Sequence, residues 1–206
     1  MEIVALHGFL GLPSDWDFLK AAGFDVVTPL LDDIPKRGDT LLGYSMGGRL
    51  ALHALLDGAR YKRAVIVSTG LGVEGEEART RRRRADEKWA RHFETQEWQR
   101  AMRDWNAQSV FGGHEANRRE EDFDRNELAR MLREWSPAVL PPLAPRLHEI
   151  DIPVLWIVGE RDEKYVAERE RAVSLLKHVE LWICPGAGHR VPWEQPVRFI
   201  ERLRAL

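Results

Sequence analysis

With 206 residues the chain is long enough to bury one substantial core, and it reads as one domain or as one domain carrying an insertion. Its 31 basic and 33 acidic residues leave a formal net charge of -2, which removes any global electrostatic case for nucleic acid or an anionic membrane and makes every charge argument local. A single cysteine, Cys184, excludes an intramolecular disulfide framework and the cysteine-rich zinc patterns, and no stretch approaches roughly 18 uninterrupted apolar residues or resembles a secretory leader, so a cytoplasmic protein with no metal and no cofactor is expected.

Taken in order, Ile3 to Leu6 reads as a buried strand that ends in His7-Gly8-Phe9-Leu10-Gly11. Glycine in such a loop lets backbone approach a reacting atom, and the N–H of Phe9 is a candidate oxyanion donor. His7 fits a loop-fixing role better than a catalytic one. Ser14 or Asp15 is expected to cap a short helix through Trp16, Phe18 and Leu19, which Gly23 stops. Phe24 to Thr28 is the next strand. Between Pro29 and Asp39 the chain is too short and too broken by Pro29, Pro35 and Gly38 for an ordinary crossover helix, so a loop or single turn is expected. Apolar sheet surface around Val26, Leu30 and Leu41 would then need cover from a neighbouring element or from a second copy in a homodimer.

Thr40 to Gly48, TLLGYSMGG, is a short apolar strand running into G-x-S-x-G and then into a helical segment. This is the pattern of a nucleophile elbow, in which small residues on either side of the serine permit a sharp turn. Ser45 would stand at the tip of the strand, with the N–H of Met46 beside a helix N-terminus as the second oxyanion donor. Arg49 to Leu56 continues at helical spacing, Asp57-Gly58 ends it, and Arg63 to Thr69 returns as a strand. Alternating strands and helices predict a parallel sheet with helices on its faces.

From Gly70 to about Ile150 the alternation lapses into charged, tryptophan-containing helical sequence: Glu74 to Glu94, Gln96 to Trp105, Asn126 to Trp135, then the proline-rich Pro137 to Pro145. An insertion of that kind predicts a helical cap (70–150) in a core made of 1–69 and 151–206. The sheet resumes at Pro153 to Val158 and runs into Gly159-Glu160-Arg161-Asp162. A helix around Ala167 to Leu176, a strand from Val179 to Cys184, the loop Pro185 to His189, and a last helix from about Glu194 to Leu206 complete the chain.

Partners for Ser45 must sit at the carboxyl ends of strands. Among the seven histidines, His53 lies within a helix, His178 precedes its strand, and His92, His114 and His148 lie in or beside the insertion. His189 follows a strand in a glycine-bracketed loop, and Asp162 also follows a strand. The order Ser45, Asp162, His189 is that of an α/β-hydrolase triad.

The whole chain thus resembles the α/β-hydrolase superfamily: a mostly parallel sheet flanked by helices, with a helical cap, lacking the hairpin that normally precedes the first strand and one crossover helix. Arg49 directly after Gly47-Gly48, the run Arg79 to Trp89 (RTRRRRADEKW), Phe93, Trp105, Gln108 to Phe111 and Gly159 to Lys164 resemble the 2-succinyl-6-hydroxy-2,4-cyclohexadiene-1-carboxylate synthase family of menaquinone biosynthesis. The resemblance implies elimination of pyruvate from an enolpyruvyl cyclohexene tricarboxylate. A serine activated by histidine and aspartate would take a ring proton alpha to the succinyl ketone, and the oxyanion hole would hold the enolate. It also places Tyr44, Arg49, Arg82, Trp105 and Lys164 on substrate-site positions. Guanidinium forks suit a small-molecule polycarboxylate, whereas a solvated helix face is the plainer account of Arg81 to Arg84. The chain departs from the family pattern at Asn106, Ser109 and Pro192, where tyrosine, proline and a second histidine are usual. A small carboxylesterase or thioesterase and a catalytically silent binding protein remain alternatives on this fold.

Overall fold

In the computed structural model, which describes residues 1–112 and 115–206, the chain divides into two units: Met1–Gly70 with Leu143–Leu206, and Leu71–Pro142. The first unit holds one sheet of six parallel strands in the order β2-β1-β3-β4-β5-β6. These are β1 (Glu2–Leu6), β2 (Asp25–Val27), β3 (Arg37–Tyr44), β4 (Arg60–Val67), β5 (Val154–Gly159) and β6 (Val179–Cys184). Among the described residues no strand precedes β1.

Its helices are α1 (Asp17–Ala21) after β1, α2 (Met46–Leu56) after β3, α6 (Glu163–Leu175) after β5, and α7 (Val191–Glu194) and α8 (Pro196–Arg204) after β6. A single last helix from about Glu194 to Leu206 was expected; instead the short α7 ends at Glu194 and α8 starts at Pro196. Pro196 has no N–H to donate and biases the residue before it towards extended backbone; Gln195, at φ -135°, breaks the run. The expected cap at α1 also differs. The carboxylate of Asp15 reaches back to the N–H of Leu12 and fixes the 3-10 turn Pro13–Trp16, while Gly23, at φ +88°, ends α1.

Strand β1 lies between β2 and β3, so the chain turns one way from β1 and then returns to its other side. That makes the β1–β3 boundary the switch point of the sheet, where open α/β sheets leave a crevice beyond the strand ends. The register pairs Leu6 with Gly43, which sets the loop after β1 beside the turn after β3. From Thr28 to Lys36 no helix forms. That link is tied down instead by the Tyr61 hydroxyl, which donates to the Pro35 carbonyl, and by the N–H of Arg60 on Lys36. The expected cover of the apolar surface is uneven. Leu41 is fully buried and Val26 packs on the core, but Leu30 is 73% exposed and Leu31 is the residue that turns inward. The link is too short to fold a helix back over both leucines, so the chain buries one and leaves the other in water.

The second unit comprises α3 (Glu76–Thr95), α4 (Trp98–Asn106) and α5 (Arg125–Glu134), with short 3-10 turns at Ser109–Phe111 and Glu120–Asp122. Carboxylates cap two of the helices: Glu97 accepts from the N–H groups of Gln99 and Arg100, and Asp124 from those of Asn126 and Glu127. An aromatic cluster fills the centre, with Trp105 edge-on to Trp89 at 5.0 Å and to Phe93 at 5.7 Å. Arg133 of α5 forks onto Glu87 and Glu94 of α3. The unit's two ends run side by side, the N–H of Val73 donating to the Pro137 carbonyl at 3.1 Å. The boundary falls at Pro142 rather than near Ile150. The 3-10 turn Ala144–Glu149 belongs to the first unit, where Arg146 donates to the carbonyl of Leu56 at the end of α2.

Candidate active site

Ser45 sits between β3 and α2 with φ +53° and ψ -111°, a backbone conformation that L residues rarely adopt. What holds it there is packing that only glycine permits. A Cβ on Gly43 would stand 2.6 Å from the Gly47 oxygen, and one on Gly47 would stand 2.3 Å from the carbonyl of His7. The Ser45 N–H donates to Val67 of β4 at 2.9 Å, and the Thr69 hydroxyl donates to the carbonyls of Val67 and Ser45. The turn is therefore secured from both neighbouring strands, and the strain at Ser45 is stored by backbone contacts.

Met46 is the first residue of α2, so its N–H is one of those that the helix cannot use internally. On the β1 side the loop closes with the N–H of Gly11 on the Gly8 carbonyl at 3.0 Å, which places Phe9 at the tip of the turn. His7 is buried, its Nδ1 2.8 Å from the Gly8 carbonyl, and its ring fills the space where a side chain on Gly11 would go. This histidine shapes the loop.

His189 brings the other two predicted residues together. Its Nδ1 lies 2.8 Å from Asp162 Oδ2, and its Nε2 lies 3.2 Å from Ser45 Oγ. Asp162 and His189 are 2% and 3% exposed, so the charge of the carboxylate is shielded from water and directed at one partner. Glu160, the nearest competing acid in the sequence, is occupied elsewhere, its Oε2 accepting the N–H of Gly186 at 2.9 Å. His53 and His178 lie away from Ser45 as expected, His92 is in the second unit, and His114 is outside the described residues.

Tyr44 and Arg49 flank the serine in sequence and are both buried. The Tyr44 ring packs 5.5 Å from the ring of His189 and edge-on to Trp193 at 4.8 Å, and its hydroxyl hydrogen-bonds with Arg190. Burial raises the Tyr44 phenol far above its ordinary range, opposed by the Arg190 charge, so this hydroxyl stays protonated. Arg49 stands one helical turn after Ser45, its N–H on the Ser45 carbonyl at 3.2 Å. Together with burial, the Arg49 charge pushes His53 down to about 4. Lys164 is the second residue of α6, its ammonium 5.3 Å from the ring of Tyr165.

Arg82 and Trp105 belong to the second unit. The Arg82 Nε donates to both oxygens of Asp86 at 2.9 Å, and Asp86, 4% exposed, also accepts from the Ser136 hydroxyl. Trp105 is part of the aromatic cluster. Asn106, where the family pattern has tyrosine, pins the backbone of Ala116 through both its amide nitrogen and its oxygen. Among the described residues no group of three or more histidine, cysteine or acidic side chains is placed to hold a metal ion, and no helix is long and apolar enough to cross a membrane.

Three residues escape sequence reasoning. Tyr165 stacks on the His189 ring at 4.9 Å, Arg190 reaches the Tyr44 hydroxyl, and Trp193 closes the far side of Tyr44 while donating its Nε1–H to the Asp15 carbonyl. Only the placement of Arg190 directly after His189 offered a signal.

A family model described as "Alpha/beta hydrolase family" matches residues 3–202. The chain is 32% identical to 2-succinyl-6-hydroxy-2,4-cyclohexadiene-1-carboxylate synthase of Escherichia coli O7:K1, covering 98% of this chain and 91% of that one. Among solved structures, MenH from S. aureus superimposes with a TM-score of 0.85 at 23% identity, covering 100% of this chain and 92% of the other. A thermophilic esterase from Thermogutta terrifontis gives a TM-score of 0.67 at 20% identity, covering 100% and 88%.

Proposed function

The chain belongs to the alpha/beta hydrolase family, and from that premise we propose that it is a carbon–oxygen lyase that eliminates pyruvate from 2-succinyl-5-enolpyruvyl-6-hydroxy-3-cyclohexene-1-carboxylate. The observation that carries the substrate class is Arg49, a buried guanidinium anchored through its own backbone to the carbonyl of Ser45. A buried guanidinium on a residue one helical turn after the serine suits a substrate rich in carboxylates better than a neutral ester.

In this reading His189, with Nδ1–H donating to Asp162, presents the lone pair of Nε2 to the Ser45 hydroxyl. The serine oxygen, relieved of its proton by His189, takes the ring proton alpha to the succinyl ketone. The electrons of that C–H bond pass to the ketone oxygen, where the N–H groups of Phe9 and Met46 stabilise the enolate. Collapse of the enolate shifts the ring double bond and breaks the C–O bond to the enolpyruvyl group, giving the 2,4-diene. The departing enolpyruvate takes up a proton and becomes pyruvate. Arg49 and Lys164 are the cationic contacts from the first unit and Tyr44 the aromatic one; these residues suffice for the reading.

The likeness to an esterase fold keeps one competitor, a small carboxylesterase or thioesterase, because the same relay attacks acyl carbonyls. Purified protein incubated with the enolpyruvyl tricarboxylate should release pyruvate at a rate linear in enzyme, and should be slow on a neutral short-chain ester. A parent protein that hydrolyses the ester far faster than it releases pyruvate reverses the assignment.

A further inference from the structure

The loop that carries His189 is held by a carboxylate that the reaction itself does not use. Glu194 closes α7, five residues after His189, and its side chain is 9% exposed. Its two oxygens divide between the two peptide N–H groups that bracket the histidine. Oε2 accepts from Gly188 at 2.8 Å and Oε1 accepts from Arg190 at 2.9 Å. Behind it the Arg161 guanidinium stands 3.4 Å from Oε2 and also donates to the Gly186 carbonyl at 2.6 Å. Arg161 lies next to Asp162, and its own N–H donates to Ala187 at 2.8 Å. The loop of the acid and the loop of the base are thus stitched at Gly186, Ala187, Gly188 and Arg190, on both sides of His189.

We propose that Glu194 is the positioning residue of the catalytic histidine: it fixes the peptide planes on either side of His189, and so sets the direction of the imidazole between Asp162 and Ser45. A charged acceptor is needed because the two N–H groups point to one place, and only a carboxylate offers two acceptor oxygens with no donor of its own. Gly188 suits the same arrangement, since a Cβ there would approach the Glu194 oxygens to 3.2 Å. The Nε2 to Ser45 Oγ distance of 3.2 Å is at the long end of a hydrogen bond, so a small rotation of the loop breaks it. This inference rests on the Ser45-His189-Asp162 reading and does not depend on the identity of the substrate.

The test uses the full chain and a fluorophosphonate that reacts with an activated serine; the Ser45 oxygen bonds to phosphorus, fluoride leaves, and the serine proton passes to His189. Glu194→Gln keeps the shape of the side chain but sets an amide NH2 against one of the two N–H donors; Glu194→Ala removes both acceptors. Labelling is expected to slow by about tenfold in the first and about a hundredfold in the second, the scale of a misplacement near 1 Å. The downfield proton resonance of the His189 Nδ1–H on Asp162 is expected to shift or broaden in both, and thermal melting shows which variants are folded. A folded Glu194→Gln that labels at the parental rate, or one that slows with the resonance unmoved, overturns the proposal. Should Glu194→Ala not fold, Glu194→Gln decides alone. Asp162→Asn runs alongside: if it labels like the parent, the triad reading falls, whereas the resonance still reports on Glu194.

Discussion

The two units solve the problem of holding polar residues in place by different means. Around Ser45 the polar side chains are few, buried and positioned by backbone: a strained serine wedged by glycine contacts, and loops sewn together through peptide N–H groups. In Leu71–Pro142 the charges are many and are balanced side chain to side chain, as in Arg133 with Glu87 and Glu94, or Arg130 with Glu127 and Glu134. Hydrogen bonds from Arg133 and Arg91 hold the Glu87 carboxyl down at about 2. The contrast teaches that geometry resides where the backbone is fixed. Surface ion pairs each contribute little to stability, whereas a glycine that admits a carbonyl at van der Waals distance has no substitute.

Substitutions can break that contrast, beginning with the largest effect. Ser45→Ala is expected to lower turnover by at least about a thousandfold with little change in melting temperature, because the hydroxyl projects from the turn and supports no packing. Activity within tenfold of the parent in steady-state kinetics removes Ser45 from the mechanism. Gly47→Ala should cost about 3 kcal/mol, at the upper end for overpacking, since its Cβ meets the carbonyls of His7 and Leu6 and neither can yield without moving β1. Denaturant unfolding reads this directly, and a variant as stable as the parent would show that the elbow has slack.

Next comes Arg49→Ala. A charge-assisted contact contributes about 1.5 to 3 kcal/mol, so kcat/KM for the tricarboxylate should fall by about ten- to a hundredfold, with Arg49→Lys recovering only part. Unchanged kinetics in Arg49→Ala would leave the esterase as the better reading. In the second unit Asp86→Ala removes the acceptor of both Arg82 Nε and the Ser136 hydroxyl. A loss of about 1–3 kcal/mol is expected there, confined to α3 and the segment after α5, and hydrogen exchange resolved by peptide can locate it. Equal loss of protection in β3 would mean that the units do not unfold separately.

The last effect is one of pH. His53 has an ordinary value of 6.5 when unfolded and is held to about 4 in the folded chain, first by burial and then by the Arg49 charge. Between those values the unfolded chain binds a proton that the folded chain refuses. Stability therefore falls as the pH drops from 6.5 towards 4, and this group contributes no slope above that window. Melting temperatures across the window should show a shallower decline in His53→Gln than in the parent, and identical slopes would remove His53 as a cause.

The parts of the fold that were legible in the sequence are those with a short-range cause. Strand β6 ends where apolar alternation gives way to Pro185-Gly186, and the elbow is visible because its steric demand acts within five residues. The loop between β2 and β3 is equally legible, since Pro29, Pro35 and Gly38 leave no room for a helix. The boundary at Pro142 was not, because Ala144 to Glu149 is short and proline-flanked and its allegiance depends on Arg146 reaching Leu56, far away in sequence. Tyr165 and Glu194 were hidden for the same reason: an aromatic in a helical first turn and a glutamate near a chain end are ordinary residues until distant loops are brought to them. Asp162 was read from its place after a strand, and the structure adds that Glu160, two residues before it, is committed to Gly186.

The hydrogen bond between Val73 and Pro137 carries a consequence for how such a chain can change over time. Everything from 74 to 136 leaves and returns through a narrow neck, so lengthening or exchanging it alters the loop-closure entropy by only about 0.6 kcal/mol per doubling. The neck presents the same two anchor points to whatever is grafted between them. A cassette of this kind can be traded for a hairpin, a longer bundle or a bare turn while the elbow stays as it is. Recombination at two fixed seams is thereby open to such a chain, with no redesign of the sheet.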